Sequence, residues 1–348
     1  MRPCLTDTVS RVKILLVRVS SLGDVVHNMP VVDDLLRHFP GADIDWVVEE
    51  AYVSMVKLNH GVRRIIPFAL RRWRKSLFSR PTRQEIRHFF ASLRSEQYDL
   101  VLDTQGLLKT GAIMGLARTV KGGKKVGLAN GTEGSGYEAA SRIFHTESVA
   151  VDIHTHAVLR GRLVAAQAGG YRVDTPASFG MHAPDLPHST STAWMPARDY
   201  AVFYHGTARD SKKWEQDNWI EAAKTVAEYG LPVLLPWGNA AEKQEATQLA
   251  ARIPGSAVLP QLSMLEAVAL SQRAALVVGV DTGLTHIAAA YERPTVEIYC
   301  DSPRWKTEGN WSSNIINLGD AGRPATVAEV NSAIRSLLDQ ANANHHRV

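Results

Sequence analysis

Short, nearly uninterrupted apolar runs alternate with helix-period segments along most of this chain, and no other feature restricts its fold as much. VKILLVRV (12–19) reads as a strand buried on both faces, and the segment after it sets Met29, Val32, Leu35, Leu36 and Phe39 at helical spacing. Strands are predicted again at 44–48, 64–68 and 99–103, with helices at 82–95 and 109–117. A second series opens near residue 200 with AVFYHG. Its strands VLLPWG, AVLP, ALVVGVD and TVEIYC alternate with helices at 218–228, 242–252, 263–273 and 282–291. Apolar strands separated by helices imply parallel sheets covered on both faces, so the fold class is α/β.

A length of 348 residues suggests two domains at roughly 150 residues each. Between the two series, residues 172–198 carry Pro176, Pro184, Pro187 and Pro196 outside any periodic run, with a Ser/Thr cluster at 189–192. That composition favours a linker. Domains are therefore expected at 1–185 and 186–325, and residues 326–348 hold a last helix carrying Val327, Val330, Ile334, Leu337 and Leu338. No stretch reaches the roughly 20 apolar residues of a spanning helix. MRPCLTDTVS lacks a secretory pattern. Cys4 and Cys300 are too few for a disulfide framework and suit a reducing cytosol.

In such sheets ligands sit at the carboxyl ends of strands, so the loops that follow strands hold the candidates. The first strand runs into SSLGDVVH (20–27), which is neither a GxGxxG fingerprint nor a P-loop, and this weakens dinucleotide and P-loop kinase readings. Asp24 reads either as a first-turn acid favoured by the helix dipole or as a carboxylate aimed into a cleft. His27 reads as structural. In HGTARDSKKW (205–214), Thr207 and Lys212 suit a pyrophosphate, against the alternative of a solvated charged loop. In VGVDTGLTH (278–286), Asp281 ends a strand, while Thr282 and Gly283 open a helix whose unpaired N–H groups form an anion site. His286 reads as packed within that helix. A DTG triplet also marks aspartic proteases, but those need a mostly β body. Glu242, after PWGN, suits ribose hydroxyls or a simple first-turn role.

Charge is uneven. The chain carries 39 Lys+Arg against 35 Asp+Glu, yet residues 61–87 alone hold nine cations against Glu85, with Phe68, Trp73 and Phe78 interleaved. So skewed a segment points to an anionic surface, an acidic glycolipid or nucleic acid rather than an ordinary solvated face.

Taken together, SSLGDVVH, LRRWRK (70–75), LDTQGLLK (102–109), HGTARDSKKW, PWGNAAE (236–242) and VGVDTGLTH resemble the lipopolysaccharide heptosyltransferases in order across residues 11–300. WVVEE (46–50) followed by LRRWRK is most similar to the type I branch, heptosyltransferase I, which adds the first heptose to the inner core. The resemblance implies a GT-B architecture, two Rossmann-like domains facing a central cleft with acceptor on the first and donor on the second. It also implies that the C-terminal helix packs back on the first domain. The implied reaction is an inverting, metal-independent transfer of L-glycero-D-manno-heptose from ADP-heptose to the inner Kdo of Kdo2-lipid A. It needs no cofactor and is run by a monomer peripheral on the cytoplasmic face of the inner membrane.

Carried over by motif, Asp24 is the general base. Lys212, Thr282 and Gly283 hold the diphosphate with Thr207 nearby, Glu242 the ribose and Asp281 the sugar hydroxyls. Arg71, Arg72, Arg74 and Lys75 meet the acceptor. Two segments depart from the family pattern: residues 303–306 (PRWK) replace a glycine-rich stretch, and the glycine-rich loop at 122–136 lacks an arginine near its end. The resemblance implies no nucleic-acid partner. The alternatives are a type II or III enzyme with a heptose acceptor, or a non-catalytic nucleotide-binding protein that uses the basic segment to dock on nucleic acid or membrane.

Overall fold

A computed structural model describes residues 11–186 and 193–345; Cys4, Pro187, the cluster at 189–192 and the last three residues lie outside the described residues. Six strands form the first sheet: β1 (Lys13–Val17), β2 (Asp43–Glu49), β3 (Val62–Phe68), β4 (Gln97–Asp103), β5 (Arg118–Leu128) and β6 (Glu147–Val149). They lie in the order β3-β2-β1-β4-β5-β6, every pair parallel. The second sheet contains β7 (Ala201–Tyr204), β8 (Val233–Leu235), β9 (Ala257–Val258), β10 (Leu276–Val280), β11 (Thr295–Tyr299) and β12 (Ile315–Gly319). Its order is β12-β11-β10-β7-β8-β9, again all parallel. Read from its first strand, each sheet has the same doubly wound order, which is the GT-B arrangement the resemblance implies.

β1 shows why. Ile14 and Leu16 point into one core and Leu15 and Val17 into another, all fully buried, so the strand is covered on both sides. α1 (Leu22–His27), α2 (Met29–His38), α3 (Val53–Val56) and, later in the chain, α7 (Ala157–Gly169) contribute to the first of these cores. α4 (Leu70–Trp73), α5 (Arg80–Leu93) and α6 (Leu108–Leu116) contribute to the second. In the other domain α8 (Gln216–Glu228), α9 (Ala240–Ala250), α10 (Met264–Arg273) and α11 (Gly283–Ala290) alternate with the strands. Local chemistry sets several starts: Ser79 accepts from Thr82 N at α5, and Ser263 and Glu266 cap each other at α10. The halves are not separate bodies. α1 packs on α11 and α3 on α10, and Val268, Ile287 and Ala290 join the first domain's core.

Two expectations need correction. The last helix, α12 (Val327–His345), packs on α8 and on β10, β11 and β12, not on the first domain. Its stripe of Val330, Ala333, Ile334, Leu337 and Leu338 completes the second core, and Arg335 pairs with Glu228 at 3.1 Å. The interdomain surface is already filled by α1, α3, α10 and α11, so a helix with this stripe finds its unfilled apolar face at home. Residues 122–128, read as loop, are the second half of β5; their glycines and lysines mask a strand that β4 and β6 hold from either side. α7 and β12 were not anticipated at all, and α7 matters for the site.

Ile334→Ala should therefore cost about 2–5 kcal/mol of stability in denaturant unfolding. A loss under about 1 kcal/mol would show that α12 does not complete the second core.

Candidate active site

Because both sheets share one winding order, each has its topological switch point at its two central strands, β1 and β4 in one and β7 and β10 in the other. A cleft of about 770 Å³ lies between these points. Asp24 and Gln105 reach it from the first domain's central strands, with Arg18 at the end of β1 and Arg160 on α7. Thr207 and Lys212 follow β7, Asp281, Thr282 and Gly283 follow β10, and Ser302 and Lys306 follow β11.

Asp24 is held on both oxygens. Oδ1 takes a short charge-assisted bond from Arg18, whose guanidinium also donates to Thr104 O, and Arg160 stands 3.8 Å away. Oδ2 accepts from Ser21 N and Ser21 Oγ, both at 3.0 Å. Burial pushes the carboxyl up, but Arg18, the Ser21 N–H and Arg160 outweigh it and hold Asp24 well below the usual carboxylate range. It is ionised, and 37% of its side chain stays open to the cleft. The capping and cleft-facing readings thus coexist in one carboxylate. Burial and repulsion by Arg18 pull Arg160 down to about 10, so it keeps its charge; Nη1 donates to Thr132 Oγ1 at 2.7 Å and Nε has no partner.

Across the cleft, Asp281 is a hub. Its Oδ2 accepts from Lys212 Nζ and Ser302 Oγ, each at 2.5 Å, and its Oδ1 from His286 Nε2 at 3.1 Å. His286 Nδ1 donates to Glu297 Oε1 at 2.9 Å. Burial opposes a charged imidazole, yet Glu297 and Asp281 on its two nitrogens raise His286 to about 10, so both nitrogens are protonated. Asp281, expected to hold sugar hydroxyls, lines the cleft with three of a carboxylate's roughly four acceptor positions already occupied. It positions Lys212. Thr282 begins α11 without bonding its own helix, which leaves its hydroxyl and the first N–H groups of the helix facing the cleft. Thr207 lines the same wall.

Gly283 has a further duty. A Cβ there would lie 2.8 Å from Leu22 Cγ and 3.0 Å from Gly23 N, so this glycine lets α11 and α1 approach closely across the domains. His27, read from sequence as structural, lines the cleft wall with its Nε2 unpartnered among the described residues. It is buried and neutral, with its ring 4.5 Å from that of His286.

Two groups of expected residues fall elsewhere. Glu242 lies beside Gly206 but not on the cleft wall; it accepts from Gly238 N at 2.7 Å and Asn239 Nδ2 at 2.8 Å and closes the start of α9. None of Arg71, Arg72, Arg74 and Lys75 lines the cleft. Arg72 is taken by Glu50 and Glu85, both at 2.8 Å. Arg71 and Arg74 stand near enough to Lys109 to help lower its ammonium, after burial, and Lys109 Nζ donates to Ser20 Oγ at 3.2 Å. They therefore flank the approach to the Asp24 loop. Lys75 is exposed.

Five site residues were not found from sequence: Arg18, Gln105, Arg160, Ser302 and Lys306. Arg18 left a signal, a cation between two valines at the carboxyl end of VKILLVRV. Gln105 pins the loop by accepting from Val19 N and donating to Ser20 O. Lys306 belongs to the divergent 303–306 segment and is half-buried between the charges of Asp24, Arg160, Lys212 and Asp281.

Residues 86–333 match the family described as Glycosyltransferase family 9 (heptosyltransferase). The chain is 36% identical to lipopolysaccharide heptosyltransferase 1 of Escherichia coli K12 over 82% of its length and 87% of that protein's. It is 39% identical to the protein of the same name from Pseudomonas aeruginosa PAO1, over 82% and 78%. The solved structure of E. coli heptosyltransferase WaaC with ADP superposes with a TM-score of 0.79 at 32% identity, covering 94% of this chain and 99% of that one. E. coli heptosyltransferase II, at 20% identity and a TM-score of 0.72, shares the fold.

His286 ties this geometry to pH. A group raised from 6.5 to about 10 supplies stability that is complete below pH 6.5 and lost as pH climbs toward 10. His286→Gln should remove that slope from the unfolding free energy measured across the window; an unchanged slope would mean the ring is not charged. Gly283→Ala should push Leu22 away and weaken nucleotide binding in calorimetry, and unaltered binding would remove the close contact from the site's requirements.

Proposed function

The chain belongs to glycosyltransferase family 9, the heptosyltransferases of lipopolysaccharide core synthesis, and from that membership we propose that it moves L-glycero-D-manno-heptose from ADP-heptose to the inner Kdo of Kdo2-lipid A with inversion. One observation carries the reading: an ionised, cleft-facing Asp24 stands opposite a wall built from Lys212, Lys306, Thr282 and the start of α11.

In this reading the donor diphosphate lies against Lys212, Thr207, Thr282 and the N–H groups after it. The acceptor hydroxyl comes from the first-domain side. Asp24 takes its proton as the oxygen bonds to the anomeric carbon, and the bond to the diphosphate breaks on the opposite face. Negative charge grows on ADP where Lys212 is already aimed by Asp281 and His286, so little reorganisation accompanies the step. No protonating acid is required because a diphosphate leaves as an anion.

Arg18 and Arg160 keep Asp24 charged but also weaken it as a base. An acceptor carboxylate or phosphate that draws Arg160 to itself restores basicity as the hydroxyl arrives. The first domain's surplus of cations, Arg71, Arg74 and Lys109 among them, suits so acidic an acceptor. We read the reaction as metal-independent, with protein cations and N–H groups meeting the diphosphate, and the enzyme as a monomer peripheral to the cytoplasmic face of the inner membrane. No helix among the described residues is long and apolar enough to cross a membrane.

Asp24→Asn should lower kcat by about 10²–10⁴ while ADP binding, followed by calorimetry, stays near wild type. Near-normal transfer by that variant would remove Asp24 as the base, and loss of activity in chelator would end the metal-independent reading. Product mass with two acceptors decides between branches: transfer to an already heptosylated acceptor and not to Kdo2-lipid A would make the chain a type II or III enzyme.

A further inference from the structure

Among the described residues, eight large apolar side chains are exposed, and six of them lie on one layer of the first domain. Leu77 and Phe78, 50% and 89% exposed, form the turn between α4 and α5. Phe90 is on α5, Leu108 and Leu116 are on α6, and Ile143 is on the 3₁₀ turn Ala139–Phe144 that packs on α6. α5 and α6 rest on the sheet face whose core contains no residue of the second domain.

The same layer is basic. Arg80, Arg83, Arg87 and Phe90 recur at i, i+3, i+7 and i+10 on α5, which sets three exposed arginines and an exposed phenylalanine along one stripe. Arg74 and Lys75 precede the Leu77-Phe78 turn and are exposed as well. The acids of the layer are engaged: Glu85 by Arg72 and Trp73, and Glu138 by Leu108 N. Arg63 and Arg64, part of the same basic run, are spent on Asp43 and Asp45, so the free positive charge gathers at residues 71–87.

We propose that this layer is a membrane-docking face, with Phe78 and Leu77 entering an anionic phospholipid bilayer and the α5 arginines resting on its headgroups. A phenylalanine almost wholly in water beside unpaired guanidinium groups suits an interface where one part meets acyl chains and the other phosphates. A single-stranded nucleic acid would instead call for aromatics stacked within a groove, and none of these side chains lines the cleft. Lys109, next to exposed Leu108, reaches the Ser20 end of the cleft, so docking on this layer holds the acceptor side of the cleft near the headgroups. The proposal rests on the reading above only for the acceptor being a lipid.

The test is co-sedimentation of the full chain with phosphatidylcholine vesicles, with and without phosphatidylglycerol, and free of any acceptor lipid. The wild type should prefer the anionic vesicles, less so in high salt. Phe78→Asp should weaken partitioning at least about tenfold. Replacing Arg80, Arg83 and Arg87 together by Gln should weaken it on the order of a hundredfold. Both variants should keep wild-type melting and wild-type turnover of a water-soluble, acyl-free acceptor. No preference for anionic vesicles overturns the proposal. So does partitioning that survives Phe78→Asp while an RNA homopolymer competes fully, because the layer would then be a general polyanion surface. Transfer without vesicle binding sinks this surface alone; vesicle binding without transfer sinks only the enzymatic reading.

Discussion

Two carboxylates after central strands, Asp24 and Asp281, keep their charge in the cleft only because each is met by one cation close by in the chain and one far from it. Arg18 and Arg160 serve one, and Lys212 and doubly protonated His286 serve the other. An unmet charge in such surroundings would cost several kcal/mol, so the pairs oblige β1, α7, the loop after β7 and α11 to converge. The site is assembled by this charge matching as much as by sheet topology. The two sides differ in what remains free. Asp24 keeps open surface toward the cleft, whereas Asp281 is nearly saturated and acts through the lysine it holds.

Much of this was legible in the chain. The apolar runs gave nine of the twelve strands and the winding class, because a strand buried on both faces leaves little ambiguity. Loops after strands named Asp24, Lys212, Thr282 and Gly283, all of which meet at the cleft. What stayed hidden depended on partners far away in sequence. Arg160 and Arg162 lie on α7, which no apolar run announced, and both are buried, one beside Asp24 and the other on Asp34 at 2.7 Å. The basic run at 61–87 looked uniform until β2 and the 50s supplied Asp43, Asp45 and Glu50 to neutralise part of it. β5 was missed because glycine and lysine hide a strand whose backbone, not its side chains, is what the sheet uses.

Glu242 and α12 teach a related lesson. Each has a motif-level role by resemblance, and each has a local partner that competes for it. For Glu242 the competitor is the exposed start of α9, where two donors lie within hydrogen-bond range of the same side chain. For α12 it is an apolar groove on its own domain. Proximity decides the packing of α12, since an interaction formed nearby costs less ordering than one formed across the molecule.

The contact between Gly23 and Gly283 has a mechanical meaning. The domains touch there with no side chain between them, a few residues from the base on one side and the diphosphate cradle on the other. At that seam the spacing of the two walls is fixed by main chain, so it does not depend on which rotamer a longer residue would adopt. The carboxylate on one side is thereby kept in register with the charges it faces on the other.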